Sequence, residues 1–218
     1  MGRKRFPHII AFAALSLALL VAQISCGGHS SSSSNPMNPG NPGGSSNSAN
    51  AICNCVKNQA ESDDYRTQAK HVDLPPIPAN EINVATILGW TVGTDPAFDA
   101  PRQGREQQMF HIGQAFLQFA WLNPGDCDLH LEISDSSDKN APRVIVETPH
   151  MNSFCTARVQ LQQQLAAKGF SLSTSSGELS NPVAVDVLGL AFEDFHHPRG
   201  SARVATFWEL HPAIVTLK

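Results

Sequence analysis

Alternation of apolar and polar positions is clearest over Asp126–Ile133. Cys127, Leu129, Leu131 and Ile133 fall on one parity, and Asp126, Asp128, His130 and Glu132 on the other. Successive strand side chains point to opposite faces, so this period predicts a half-buried β-strand. Upstream, Gln108–Leu122 is apolar and aromatic enough for a long strand, ended by Asn123-Pro124-Gly125. Downstream, Ser134–Pro142 reads as a polar turn and Arg143–Thr148 as a third strand rich in β-branched residues. Asn152–Lys168 then shows helical spacing, with Phe154, Leu161 and Leu165 as its apolar stripe, Asn152 or Ser153 as cap and Gly169 as stop. After a Ser-rich loop, Pro182–Phe192 and Arg203–Leu217 read as fourth and fifth strands.

Three strands, a helix and two strands is the order of the OB-fold. The expected class is therefore mainly β: an OB-fold-like five-stranded Greek-key barrel over residues 108–218, with its helix between strands 3 and 4. Residues 51–107 form an N-terminal extension. Pro75, Pro76 and Pro78 suit an extended lead-in, Asn80 is placed to cap a short helix running to Leu88, and 92–107 is loop-like.

The start of the chain has another character. Arg3, Lys4 and Arg5 precede Ile9–Ala22, in which Ser16 alone is polar; this is too short to span a bilayer comfortably and matches an export signal over 1–25. Ser25-Cys26 at its end resembles a bacterial lipobox, with Gln23 where Leu is usual, which makes Cys26 the expected lipidation site. In residues 27–50 all but His29, Met37 and Ala49 are Gly, Ser, Asn or Pro, so 26–50 is the lipidated residue and a flexible tether. The implied location is the bacterial cell envelope, periplasmic or outer surface, with the membrane met through a lipid and no transmembrane segment in the mature chain.

Export changes the reading of charge and cysteine. Loss of residues 1–25 removes three basic residues and no acid, moving a balance of 15 Lys+Arg against 19 Asp+Glu from −4 to −7. An acidic chain is a poor coat for nucleic acid, although Arg143, Arg158, Arg199 and Arg203 offer local positive charge. Of five cysteines, Cys53, Cys55, Cys127 and Cys155 remain after Cys26. Two disulfides are expected, with Cys53 and Cys55 each reaching Cys127 or Cys155; a metal or redox site on Cys53-Asn54-Cys55 is the alternative.

Two strand segments put ionisable groups on one parity: Asp126, Asp128 and His130, and Glu209 and His211; Glu147 ends the third strand. In a small barrel these could converge, and carboxylates with imidazoles suit a divalent ion such as Zn²⁺ or Mn²⁺. The polar parity of Asp126–Glu132 is otherwise a solvated face. Glu209 and His211 lie among Phe207, Trp208, Ala213, Ile214 and Val215, so burial is expected, with a mutual hydrogen bond or a ligand as its reason. His196 and His197, beside Glu193 and Asp194, are a solvated loop or further ligands. No Gly-rich phosphate loop, G-x-S-x-G elbow or H-E-x-x-H helix occurs, which leaves serine hydrolases and zincins unsupported.

Gly125-Asp126-Cys127-Asp128-Leu129-His130-Leu131, followed by Arg143-Val144-Ile145-Val146-Glu147-Thr148-Pro149, resembles the core of the staphylococcal-nuclease family. That family is built on an OB-fold and cleaves phosphodiesters. The resemblance implies Ca²⁺ on Asp128 and Glu147, support from Thr148, a phosphate on Arg143, and Arg199 or Arg203 as second arginine by position. The sequence departs from the pattern at Leu129 (for Thr), Glu147 (for Asp), His150 (for the general-base Glu) and the spacing of Arg143. Residues 108–217 also resemble a loose group of exported bacterial proteins sharing D-x-H-L, E-x-P, F-x-D-F-x-H and E-L-H-P elements, here with Glu193 inserted. The leading expectation is a lipid-anchored OB-fold-like module with an Asp/Glu/His metal or ligand site and a binding role. The alternatives are a metal-dependent nuclease using Asp128, Glu147, His150 and Arg143, and an envelope protein-interaction lipoprotein.

Overall fold

The computed structural model describes residues 52–55, 65–197, 199 and 203–218. The export signal, Cys26 and the tether lie outside the described residues. Among the described residues there are six strands: β1 (Ala79–Glu81), β2 (Met109–Leu122), β3 (Leu129–Ser134), β4 (Val144–Thr148), β5 (Glu178–Glu193) and β6 (Trp208–Leu217). They are accompanied by the α-helices α1 (Thr67–Lys70), α2 (Val84–Leu88) and α3 (Cys155–Ala167). None of these helices is long and apolar enough to cross a membrane.

The sheet runs β1-β2-β3-β4-β6-β5, and β5 pairs back onto β2. That closes a five-stranded barrel, with β4 and β6 parallel and the other barrel pairs antiparallel. The strand order and the position of α3 are those expected of an OB-like fold; β1 is an added strand, parallel to β2 at its edge. β2 serves two partners by bending: its register shifts between Ile112 and Ala115 against β5, and between Leu117 and Phe119 against both neighbours. An extra residue at such points raises local twist and lets a long strand curl.

Inside lie Leu129, Leu131 and Ile133 of β3, Val144 and Val146 of β4, and Leu210, Ala213 and Val215 of β6, with Leu161 and Leu165 of α3 in the same cluster. Each fully buried Leu or Ile contributes about 1.5–3 kcal/mol over an exposed one. At Gly189 of β5, an added Cβ would lie 2.7 Å from Ala213 Cβ and 2.9 Å from Pro212 O, so β5 and β6 approach too closely there for any side chain.

Several expectations change. Asn80 lies in β1 and caps nothing; Asn83 is the cap, its Oδ1 accepting the Thr86 N–H at 2.9 Å. β3 starts at Leu129, because Asn123–Asp128 is a turn: the Cys127 N–H donates to Asn123 O, and Cys127 takes φ 69°. Asp126 and Asp128 therefore do not share a strand face; Asp126 Oδ1 accepts the Asp128 N–H across the turn. Asn152–Phe154 is a 3₁₀ turn without a side-chain cap, and the α-helix proper starts at Cys155. β5 begins earlier than expected, at Glu178, and residues 203–207 precede β6 as a loop that touches Arg143 through Val204.

The largest departure concerns the outer face of β3 and β4. His130, Glu132, Ile145 and Glu147 point away from the barrel core, yet Glu132 and Glu147 are buried. Glu132 is covered by Arg143 and His130, while residues 65–107 fold back as a roof over the adjoining strands β5 and β6 and reach Asp128 through His71. Arg66 pairs with Glu106 through two contacts of 2.6 and 2.7 Å, stacks over Phe192 and donates to Glu193 O. Arg102 donates to Ala69 O, Ala191 O and His211 O. The lead-in is also stitched covalently: Cys53–Cys155 and Cys55–Cys127 are both disulfides, as the cysteine count led one to expect.

Candidate metal centre

Beneath this roof, Asp128, Glu147, Glu209 and His211 converge with His71. Asp128 is fully buried; its Oδ1 accepts the His150 N–H, and its Oδ2 lies 3.2 Å from His71 Nε2 and 3.3 Å from His211 Nε2. Glu147 Oε1 accepts from His130 Nδ1 at 2.8 Å, and its Oε2 is 2.9 Å from His211 Nδ1. Glu209 Oε1 is 3.5 Å from the same nitrogen.

A register shift in β6 aims His211. Leu210 pairs with Ala191 and Ala213 with Gly189, so two residues of β6, His211 and Pro212, stand opposite one of β5. Leu210 and Ala213 can then both face the core while His211 turns outward. Bulges of this kind are a common way to re-aim a side chain at a site. On the other side, Arg158 fixes the turn before β3 by donating to Cys127 O, and it also holds Thr148 O and Ile52 O.

At three atoms of the cluster, proximity is not matched by hydrogen bonding. His211 Nδ1, His211 Nε2 and Glu209 Oε1 are buried, and none of them has a hydrogen-bond partner among the described residues. Two sets of ligand atoms lie within 4.8 Å of one another: His71, Asp128 and His211, and Glu147, Glu209 and His211. Either set could hold a metal ion. His71 is the wettest member, with 15% of its side chain exposed against 8% or less for the others.

Charge is crowded here. Burial pushes Asp126 up to about 7, and Glu147 and Asp128 nearby add to the effect. Burial also raises Glu209, reinforced by Asp194 and Glu147. Burial would do the same to Asp128, but the His211 and His71 rings hold it well below the carboxylate range. Burial opposes a charge on His130, yet Glu132 and Glu147 raise it to about 10. His211 is raised as well, because Asp128, Glu147 and Glu209 outweigh its burial. Lys70 follows the same rule: Glu209, Asp194 and Glu147 overcome burial and keep it charged.

Of the residues expected at the site, Asp128, Glu147, Glu209 and His211 meet, and His130 touches Glu147 from outside. Asp126 belongs to neither set. The nuclease-like roles place less well. Arg143 is fully buried, with Nη1 held by Glu132 (2.9 Å) and Glu178 (2.7 Å) and Nη2 by Lys139 O and Glu178, so both terminal nitrogens are already taken. Thr148 Oγ1 donates to Ala213 O, and His150 Nε2 lies 2.9 Å from Cys53 O, turned toward the lead-in. Arg199 contacts Asp194 and Arg203 contacts Glu178. His196 lies near Asp95 and Glu193, and His197 near Asp194; neither joins the two sets. Sequence reasoning missed His71. It sits in a stretch with no period, and its sole signal was being a histidine in the extended lead-in of the N-terminal extension.

The fold and site together define a class: an OB-like barrel carrying a roofed His/carboxylate cluster. No protein-family model, curated protein or solved structure matches the chain.

Proposed function

We propose that the protein is an exported, lipid-anchored metal-binding module in which His71, Asp128 and His211 hold a zinc-class divalent ion. One observation carries this reading. Bonds of about 2.0–2.1 Å at tetrahedral angles set ligand atoms about 3.3 Å apart, and Asp128 Oδ2 lies 3.2 Å from His71 Nε2 and 3.3 Å from His211 Nε2. The buried Nε2 of His211 has no hydrogen-bond partner among the described residues, as a lone pair directed at an ion would. Two imidazoles with a carboxylate suit Zn²⁺ and its neighbours better than Ca²⁺, which takes oxygen ligands. Glu147 and Glu209 sit on the other ring nitrogen, where a carboxylate orients a metal-bound histidine.

The two disulfides fit an oxidising compartment. The Ser25-Cys26 lipobox and the tether at 27–50 support anchoring. The nuclease-like alternative has less behind it: Asp128 and Glu147 are near one another through His211, but Arg143 is taken by Glu132 and Glu178 and the cluster lies under the roof.

The test is metal content and affinity of the purified, oxidised chain. One equivalent of Zn²⁺ that resists dialysis, lost in His71→Ala and in Asp128→Asn, is the expected result. Wild type that retains no more Zn²⁺ than either variant removes the proposal.

A further inference from the structure

Beside the cluster, on the far side of His130, the outer face of the barrel holds a cavity of about 380 Å³ lined by Phe119, Trp121, His130, Ile145, Arg199 and Val204, among others. We infer that this cavity binds a small organic anion: an oxyanion head, carboxylate or phosphate, on a flat apolar body. None of Phe119, Trp121, Ile145, Arg199 and Val204 belongs to either metal-ligand set, so the inference does not rest on the metal reading.

The head group follows from Arg199. Its side chain is 10% exposed, its Nη1 donates to Asp194 Oδ2 at 3.0 Å, and its guanidinium lies 4.8 Å from the Phe207 ring centre. Those contacts hold the group in place. Its Nε and Nη2 are buried and have no hydrogen-bond partner among the described residues. These two atoms form the side-on edge of a guanidinium, the edge that grips two oxygens of one carboxylate or phosphate. Burying charged donors without a partner is costly, so a ligand that pairs them gains strongly.

The body follows from the walls. Phe119 and Trp121 stand edge-on to His130, with ring centres 6.0 and 6.1 Å from it. Trp121 Nε1 already donates to Thr174 O, which leaves the apolar part of its indole for contact. Ile145 and Val204 add aliphatic surface. Glu132, the carboxylate on this wall, is held by Arg143 at 2.9 Å and so does not repel an anion freely. An apolar space of this size with a few fixed polar groups is the usual form of a small-molecule site.

The experiment is calorimetric titration of the full oxidised chain, with and without EDTA, using indole-3-carboxylate, phenyl phosphate, uncharged indole and inorganic phosphate. The two anions with apolar bodies should bind, and indole and phosphate should bind at least about tenfold more weakly. The tighter of the two anions identifies the head group. Arg199→Gln should lower affinity by about 10–100-fold, as loss of a charge-assisted pair does; because the variant also loses the Asp194 pair, circular dichroism checks that it is folded before it is titrated. Binding that survives EDTA separates this site from the metal centre. The inference fails if indole binds as tightly as its carboxylate, if no probe binds at millimolar concentration, or if Arg199→Gln binds as wild type does.

Discussion

His130 and Glu147 face each other in register across β3 and β4, with Nδ1 of the imidazole 2.8 Å from Oε1 of the carboxylate. The second oxygen of Glu147 lies 2.9 Å from His211 Nδ1, so one carboxylate joins the wall of the cavity to the ring at the centre of the cluster. Glu147→Gln keeps the shape and removes the charge that orients His211. We expect Zn²⁺ affinity to fall by about 10–100-fold, the usual effect of losing such an outer partner. Asp128→Asn, which removes a ligand, should fall further. Competition with a coloured chelator ranks the two; equal affinity of Glu147→Gln and wild type would refute the orienting role.

The Arg66–Glu106 pair should be a strong point of the roof. Glu106→Gln leaves a buried guanidinium without its counter-charge, which costs about 3–5 kcal/mol, measurable by urea unfolding at neutral pH. The pH dependence has a definite sign. Burial would raise Glu106, but Arg66 and the N–H groups of Glu193 and Gln103 hold it below the ordinary carboxylate value. Its folded value is thus below its unfolded one, and its contribution is complete above the ordinary value. As pH falls through the folded value that contribution is lost. The gap between wild type and Glu106→Gln should therefore shrink in acid, and a gap that widens would contradict the pairing.

Cys55–Cys127 closes 72 residues of sequence and ends one residue before Asp128. Replacing both cysteines by serine should cost about 2–5 kcal/mol. It should also weaken Zn²⁺ binding, because the turn that presents Asp128 loses an anchor. The paired readout matters: a stability loss with unchanged metal affinity would separate the disulfide from the site.

Gly189→Ala tests the closeness of β5 and β6. A methyl group at 2.7 Å from Ala213 Cβ forces the strands apart beside His211. Overpacking of this kind costs about 1–3 kcal/mol, and a melt of the variant against wild type measures it. A variant as stable as wild type would show that the strands can yield there.

Much of the barrel was legible because its inner face is written locally. Leu129, Leu131 and Ile133 keep period two, Arg143–Thr148 carries Val and Ile, and Leu161 and Leu165 keep helical spacing. Asp128, Glu147, Glu209 and His211 could be grouped from parity and strand order alone. What no local period records is which outer face becomes covered. Glu132 is covered by Arg143 and His130, and Glu147 by His130 and His211, partners that only long-range contacts bring together. His71 was invisible for the same reason. Arg143 was misassigned because Glu178, one of its partners, lies 35 residues away on a strand that starts earlier than its apolar stretch suggests. The aspartate turn was read as strand because Cys127 preserves the alternation in type while its positive φ breaks it in geometry.

The roof has a practical consequence for anyone dividing this chain for expression. A cut before Gln108 would keep all five barrel strands and still yield a different molecule. It would strip Arg66 and Arg102 from the outer face, leave Cys127 and Cys155 as unmated thiols and put a crowd of acids into solvent. The unit to clone begins ahead of Cys53, and a fragment starting at Gln108 is a poor source of negative results about either site.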